Sequence, residues 1–279
     1  MSTQTNRLAQ VARILPVTVM AVLFVLYGTP LVVLLFGSFQ PAASVPRLNL
    51  EAFSGLTFEN YFAFFDRGGA RSLTNSAIIA IGTTLVVAVI GVPAAYWISR
   101  VAPRFAGIIL LAIVFFQMIP AASSVIPLYR VLAAWGLVGT LPGVILALSA
   151  TLLPWALLLM GPYFAAIPRE ISEAAAVDGA GPFRQFWSIV VPLARNGIVT
   201  VAILTFMVSW GEFVYAINFL ADPKLYPASA VLTTYISALS TDWPGVMAAS
   251  VVTALPIIVF FLVFQRRLSE GLSAGALKG

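Results

Sequence analysis

The sequence contains neither histidine nor cysteine. Disulfide bonds, thiol nucleophiles and metal centres built on imidazole or thiolate ligands are therefore excluded, which argues against a zinc or haem enzyme. Lysine is almost absent too: Lys224 and Lys278 are the only two, and neither lies in a GxxxxGK[ST] pattern. The chain thus has no P-loop to bind ATP phosphates. Energy for any active process must come from another subunit or from an ion gradient.

Charge is scarce while apolar residues are abundant. Charged residues make up 9% of the 279 residues and apolar ones 61%, whereas about a quarter of an average soluble domain is charged. Six apolar segments approach the roughly 20 residues that span hydrocarbon. They cover residues 15–36, 73–98, 107–128, 142–165, 197–220 and 245–264. We predict an all-α polytopic membrane protein with six transmembrane helices, because backbone groups must be satisfied within lipid.

The basic residues predict the orientation of these spans. One alternating set of connecting segments holds Arg7, Arg13, Arg100, Arg104, Arg169, Arg184, Arg195, Arg266, Arg267 and Lys278; the other holds Arg47, Arg67, Arg71, Arg130 and Lys224. Ten against five places both termini and the loop 166–196 in the cytoplasm by the positive-inside rule. The basic pI follows from this topology, so no nucleic-acid partner is needed to explain it. The first span exceeds the apolar length of a signal peptide and lacks a small-residue cleavage site.

Residues 170–193 form the longest polar island and are patterned as two short helices. Pro168 suits a helix start, and Ala174, Ala175 and Ala176 favour helix and present little bulk. Gly179 suits the left-handed end of a helix. Pro182 suits a second start, after which Phe183, Phe186, Ile189 and Val190 recur at helical spacing until Pro192 breaks the segment. The sequence predicts a helix–turn–helix lying across the membrane face, able to fit a groove on a partner.

This loop resembles the coupling loop of ABC importer permeases, the EAA motif. The resemblance rests on Glu173-Ala-Ala-x-x-Asp-Gly-Ala180 followed by Ile189-x-x-Pro-Leu193. Further stretches are similar to MalG-like carbohydrate permeases: 58–61, 75–76, 118–120, 126–128, 210–213 and the tail 265–279. Val191 stands where this family usually has Leu, and Asn196 where it has Pro; both lie at the far edge of the motif.

The resemblance implies one transmembrane domain over residues 1–279, in the cytoplasmic membrane of a bacterium or archaeon. It implies a permease without catalytic or metal-binding residues of its own, which imports a di- or oligosaccharide by alternating access. ATP and Mg would be used by a partner ABC ATPase dimer; the further partners are a second, MalF-like permease, an extracytoplasmic sugar-binding protein and membrane lipid. The ATPase-coupling residues would be Glu173, Ala174, Ala175, Asp178, Gly179, Ala180, Phe183, Phe186, Ile189 and Pro192. The tail either reaches the ATPase interface or is a frayed terminus.

Glu212 is the sole ionisable residue inside a predicted span, which makes it a functional candidate. It either lines or gates a hydrophilic path, or makes a structural hydrogen bond to the partner permease. Pro120 and Pro127 interrupt the outer half of the third span, as in a cavity-lining broken helix or in ordinary kinked packing. The candidate path residues are Gln117, Ser123, Ser124, Ser149, Ser209, Glu212, Tyr215 and Asn218.

Two other function classes remain open at this point. A proton-coupled secondary transporter would use Glu212 as its proton site, but it leaves the 170–193 loop unexplained. An integral membrane enzyme would need clustered carboxylates or a nucleophile–base pair at membrane depth, and the sequence shows neither.

Overall fold

The computed structural model describes residues 2–42, 55–236 and 240–276, and the side chains of 16–42, 55–236 and 240–271. The chain divides into two compact units, Met1–Arg67 with Leu232–Val252, and Gly68–Val231 with Thr253–Gly279. Within the described residues the structure is helical, apart from an isolated bridge between Ile236 and Thr241. The predicted all-α class is confirmed.

In the first unit, helix α1 (Ser2–Gly37) leads to the short helix α2 (Glu59–Asp66). The α1 span Pro16–Gly37 has no buried residue in its most apolar stretch. The turn after it is held by the buried Asn60 side chain, whose Nδ2 donates to the carbonyls of Ser38 (3.0 Å) and Gln40 (2.7 Å). Side-chain amides of this kind donate to the backbone carbonyls near a helix end that have no hydrogen-bond partner within the helix. The predicted outer loop 37–72 includes residues 43–54, which lie outside the described part.

The core of the second unit is built from three long helices: α3 (Gly69–Arg100), α6 (Leu141–Ala165) and α9 (Val191–Trp210). Val87, Met160 and Val201 are buried where these helices meet. Close packing depends on small residues, since Gly197 of α9 lies directly against the Tyr163 ring of α6. This is how helices approach in lipid, where apolar burial alone gives little driving force.

Two predicted spans are broken rather than continuous. The segment 107–128 is divided between α4 (Pro103–Gln117) and α5 (Ala121–Ala134), which are bent by 97°. Pro120 adopts φ −59 and ψ 140 at the start of α5, so the helix cannot run through it. The segment 197–220 likewise stops at Trp210 and resumes as α10 (Val214–Phe219). The suspected interruption at Pro120 is thus real, whereas the prediction of an unbroken fifth span was wrong.

Polar side chains connect the remaining elements to this core. Asn75 of α3 donates through Nδ2 to the carbonyls of Lys224 (3.0 Å) and Tyr226 (3.2 Å), fixing the 3₁₀ turn Pro223–Leu225. Helix α11 (Ala228–Val231) follows, and α12 (Trp243–Ala276) ends the described chain. Trp210 Nε1 donates to the Thr253 carbonyl of α12 (3.1 Å).

Five helices of the described part are long and apolar enough to cross a bilayer. They contain the spans Pro16–Gly37, Gly69–Arg100, Leu141–Ala165, Pro182–Trp210 and Trp243–Gly271. The bent pair α4–α5 makes a sixth if it is counted as one crossing. This agrees with a polytopic membrane protein. The predicted third segment, 107–128, differs from the prediction because it is bent between α4 and α5.

Candidate functional site

Helix α7 (Arg169–Val177) is closed by a left-handed glycine. Gly179 has φ +82, its N–H donates to the Ala176 carbonyl (3.0 Å), and the Ala180 N–H donates to the Ala175 carbonyl (2.9 Å). This pair of bonds is the Schellman motif, which satisfies the last carbonyls of a helix. The helix end at Gly179 is therefore where the sequence predicted it.

The second helix of the hairpin begins at Pro182 and does not stop at Pro192. Helix α8 (Pro182–Gln185) passes into a π-helical turn, Phe186–Val190, and then directly into α9. In this wider turn the Val191 N–H donates to the Phe186 carbonyl. A proline clashes with the carbonyl four residues before it, and a π turn is one way in which a helix absorbs such a local mismatch. The prediction that Pro192 breaks the segment was wrong.

The hairpin has an inner and an outer face. Ala175 and Phe186 are buried, and the Phe186 ring lies 5.2 Å from the Tyr96 ring of α3. The outer face exposes Val177 (88% exposed) and Phe183 (78% exposed). The Phe183 ring lies 6.1 Å from the Trp187 ring at a tilted angle of 56°, and Trp187 is itself half exposed. Two of the predicted coupling residues thus hold the hairpin against its own chain.

The other predicted coupling residues lie at or near the surface of the chain. Those exposed are Glu173, Ala174, Asp178, Gly179, Phe183 and Pro192, while Ala180 and Ile189 are half-buried. Val177 and Trp187 were missed by sequence reasoning, because a valine and a tryptophan in an apolar chain look like ordinary core residues. Val177 lies two residues before Gly179, and Trp187 lies four residues after Phe183. This closeness to predicted coupling residues was the signal that the sequence offered.

A second feature is an open cavity of about 800 Å³ between the two helix breaks. Its walls come from the ends of α4 and α5, the middle of α6 and the residues between α9 and α10. Pro120 lies at one break, and Gly211 and Phe213 at the other. Breaks of this kind free backbone groups that only a cavity or protein partner can satisfy within a membrane.

The structure brings five of the eight predicted path residues together in this cavity. These are Gln117, Ser123, Ser124, Glu212 and Tyr215. Thr151, Phe116 and Phe213 also line the cavity and were missed, because nothing in their local sequence indicates which way a broken helix turns.

The other three predicted path residues lie elsewhere. Ser149 borders a separate cavity of about 310 Å³ with almost wholly apolar walls and donates to the Ile145 carbonyl. Ser209 is buried in α9. Asn218 is exposed on α10 and donates to the Val214 carbonyl (2.6 Å). These three are not part of the cavity lining.

Glu212 supports the backbone of the broken segment. Its side chain is only 7% exposed, and Oε1 accepts hydrogen bonds from the N–H groups of Tyr215 (2.5 Å) and Ala216 (3.2 Å). The Ser229 hydroxyl donates to the Glu212 carbonyl. A carboxylate at this position satisfies orphan N–H groups at the start of α10, as helix-capping side chains do. Glu212 therefore has a structural partner within its own chain.

Tyr215 joins the two breaks. Its side chain is 1% exposed, and its hydroxyl lies 2.7 Å from the Ser124 hydroxyl of α5. Ser124 also donates to the Ala121 carbonyl one turn earlier (2.7 Å). The described residues contain no cluster of three or more acidic, His or Cys side chains that could hold a metal ion. The cavity is thus a mainly apolar recess with a few polar groups and one buried carboxylate.

Comparison with known proteins identifies the family. The family described as "Binding-protein-dependent transport system inner membrane component" matches residues 87–273, about two thirds of the chain. This chain belongs to that family. It is consequently a permease component of ABC transporters, not itself catalytic, and a multi-pass protein of the cytoplasmic membrane. The family assignment removes the secondary-transporter and membrane-enzyme alternatives.

Curated relatives of this permease component extend over most of its length. The trehalose transport system permease protein SugB of Mycobacterium tuberculosis is 35% identical over 246 residues, which is 87% of this chain and 89% of the relative. The melibiose/raffinose/stachyose import permease protein MelC of Bacillus subtilis is 30% identical over 80% of this chain and 82% of its own.

A solved structure confirms the fold of the permease component. The crystal structure of a bacterial ABC transporter involved in the import of the acidic polysaccharide alginate matches with a TM-score of 0.76 at 19% identity. The match covers 95% of this chain and 98% of that one.

Proposed function

We propose that this chain is one permease subunit of an ATP-driven importer that carries a di- or oligosaccharide across the cytoplasmic membrane by alternating access. The observation that carries the proposal is the exposed helical hairpin, whose second helix continues without interruption to the edge of the cavity. Sugar as the substrate class is supported by the relatives SugB and MelC, which are named for trehalose and for melibiose, raffinose and stachyose.

The outer face of the hairpin is the proposed ATPase-docking surface. Val177, Phe183 and Trp187 are apolar side chains exposed on the hairpin, and aromatic residues of this kind often dominate the energy of an interface. Glu173 and Asp178 are exposed on the same hairpin and can pair with basic groups of the partner. Ala174 and Gly179 let the partner backbone approach closely.

The family and the charge distribution support the remaining components of the proposal. The importer contains a second, MalF-like permease, a dimer of ABC ATPases that binds ATP and Mg, and an extracytoplasmic sugar-binding protein. Both termini and the loop 166–196 face the cytoplasm. The chain needs no cofactor of its own.

The cavity between the helix breaks is proposed as this subunit's share of the sugar path. Gln117 and Ser123 are exposed there, and Phe116 and Phe213 supply ring faces. Ligand sites usually combine apolar and aromatic walls with a few polar groups that fix orientation. Ser149, Ser209 and Asn218 have no place in this path.

Co-purification tests the docking surface. The complex carrying Phe183→Ala or Val177→Asp is expected to lose its ATPase subunits in mild detergent, because both changes remove apolar contact area from the hairpin. Gly181→Ala is the matched control on the same hairpin, since its Cβ would meet nothing within 4 Å and its φ is −66. Stoichiometric ATPase retained by both variants, or absent from the wild type, would contradict the proposal.

A further inference from the structure

The cavity between the helix breaks has few charged groups in its lining. Glu212 is its one ionisable lining residue apart from the phenol of Tyr215, and none of the described residues that line it is lysine or arginine. From this lining we infer that the cavity accepts an uncharged sugar and excludes a sugar acid or a sulfonated sugar. The inference rests on the proposed function and narrows its substrate class.

An anion has no favourable position in such a recess. Removing a carboxylate or sulfonate from water is costly unless a cation or several hydrogen-bond donors replace the hydration shell. The cavity walls offer no cation, and the Glu212 carboxylate repels a second negative charge. The alginate importer that shares this fold is named for an acidic polysaccharide, so charge is a property on which members of the fold can differ.

The groups that remain free in the cavity suit a neutral hydroxyl-rich ligand. Gln117 and Ser123 have exposed side chains that make no hydrogen bond to any residue the structure describes. An amide both donates and accepts, and so does a hydroxyl, which matches the dual character of sugar hydroxyls. Phe116 and Phe213 are 63% and 39% exposed and offer ring faces to the apolar side of a pyranose.

Glu212 is not placed to attract a cationic ligand. Its Oε1 already accepts from the Tyr215 and Ala216 N–H groups, and the side chain is 7% exposed. Backbone N–H groups directed at a carboxylate partly compensate its charge. The same compensation weakens the repulsion of an anion, so the exclusion of anions rests mainly on the lack of a cation in the lining.

Saturation-transfer NMR with the complete complex in lipid nanodiscs tests the inference without the external binding protein. The probes are trehalose and melibiose, each with its 6-carboxylate and its 6-amino-6-deoxy derivative, so that charge changes on a constant skeleton. The neutral sugar is expected to bind at least about tenfold more tightly than the carboxylate, because an unfavourable like-charge contact costs more than the 1.4 kcal/mol equivalent to tenfold. Ser123→Lys is expected to raise carboxylate binding, and Ser123→Gln, its uncharged control, is not.

The possible outcomes separate this inference from the proposed function. Equal binding of the neutral sugar and the carboxylate, or unchanged carboxylate binding in Ser123→Lys, overturns the inference. Stronger binding of the amine shows that Glu212 selects a cation and overturns it too. If the complete importer in liposomes, with its binding protein, takes up sugar with ATP but the nanodisc complex shows no transfer to any probe, the cavity is not the sugar site. If those liposomes take up no sugar with ATP, the proposed function itself fails.

Discussion

At the scale of single residues, Glu212 shows that a buried carboxylate in an apolar chain can serve to accept hydrogen bonds from backbone N–H groups of the same chain. The sequence isolates this residue as the one ionisable side chain of the fifth span. It does not show that the helix stops at Trp210 and restarts at Val214, which leaves N–H groups for the carboxylate to bind. Sequence therefore found the residue, and only the structure supplied its role.

Replacing Glu212 by Ala is expected to destabilise the complex by about 1–3 kcal/mol, because two N–H groups would lose their acceptor. Glu212→Gln keeps a side-chain oxygen and should cost less. Asn218→Ala is the control, since that side chain is exposed and bonds only to a carbonyl of its own helix. The measurement is the thermal unfolding midpoint in nanodiscs. A larger loss for Asn218→Ala than for Glu212→Ala would refute the capping role.

Gly179 has a backbone conformation that other residues adopt at a cost. At φ +82 a β-branched side chain is strained even though a Cβ would meet nothing within 4 Å. Gly179→Val is expected to destabilise the hairpin by about 1–2 kcal/mol, the penalty for a left-handed residue with a Cβ. Hydrogen–deuterium exchange over residues 169–190 should rise in this variant, while Gly181→Ala leaves it unchanged. Equal protection of the backbone amides from exchange in the two variants would show that the Schellman motif at Gly179 does not stabilise the hairpin.

At the scale of helices, local signals predicted the starts and ends well and predicted continuity poorly. Pro168, Gly179 and Pro182 lie where the predicted hairpin needs them, because capping depends on neighbouring residues alone. Pro192 was expected to end a helix and instead follows a π turn. Whether a proline breaks a helix or is absorbed depends on the packing around it, here on the buried Phe186 and Val190. That information is not contained in the local sequence.

The approach of α6 and α9 depends on one glycine. A Cβ at position 197 would overlap the Tyr163 ring, so Gly197→Ala is expected to cost about 1–3 kcal/mol, as overpacking does, despite the better helix propensity of alanine. Gly161→Ala on α6 is the matched control, because its Cβ would meet nothing within 4 Å. It should leave stability unchanged or raise it by up to about 1 kcal/mol. The measurement is the thermal unfolding midpoint of the purified complex that carries each variant. An unaltered midpoint for Gly197→Ala would show that the Tyr163 ring can move aside at no cost.

At the scale of the whole molecule, composition alone predicted the class and the number of crossings. Apolar runs separated by charges gave six segments. The described residues contain five helices long and apolar enough to cross a bilayer, and six crossings if the bent pair α4–α5 is counted as one. The grouping of cavity residues could not be predicted in the same way. Gln117 and Tyr215 are far apart in sequence, and both line the cavity between the two helix breaks.

The absence of cysteine makes the predicted orientation directly testable. Lys224→Cys and Val177→Cys each introduce the sole thiol of the chain at an exposed side chain. A membrane-impermeant maleimide added to intact spheroplasts is expected to label position 224 at once and position 177 only after permeabilisation. The reverse pattern would invert the topology and place the hairpin outside, where no ATPase could reach it.

The uninterrupted helix from Pro182 to Trp210 has a mechanical consequence. Its 29 residues form a helix of roughly 43 Å at 1.5 Å per residue. The hairpin lies at one end of this helix and the edge of the cavity at the other. If the helix were interrupted at Pro192, it could bend there, and less of a displacement would pass along it. Because the π turn joins α8 to α9 without an intervening loop, a displacement of the hairpin can pass along one continuous helix toward Gly211. The first break in the helix that such a displacement meets is then at Gly211, in the wall of the cavity.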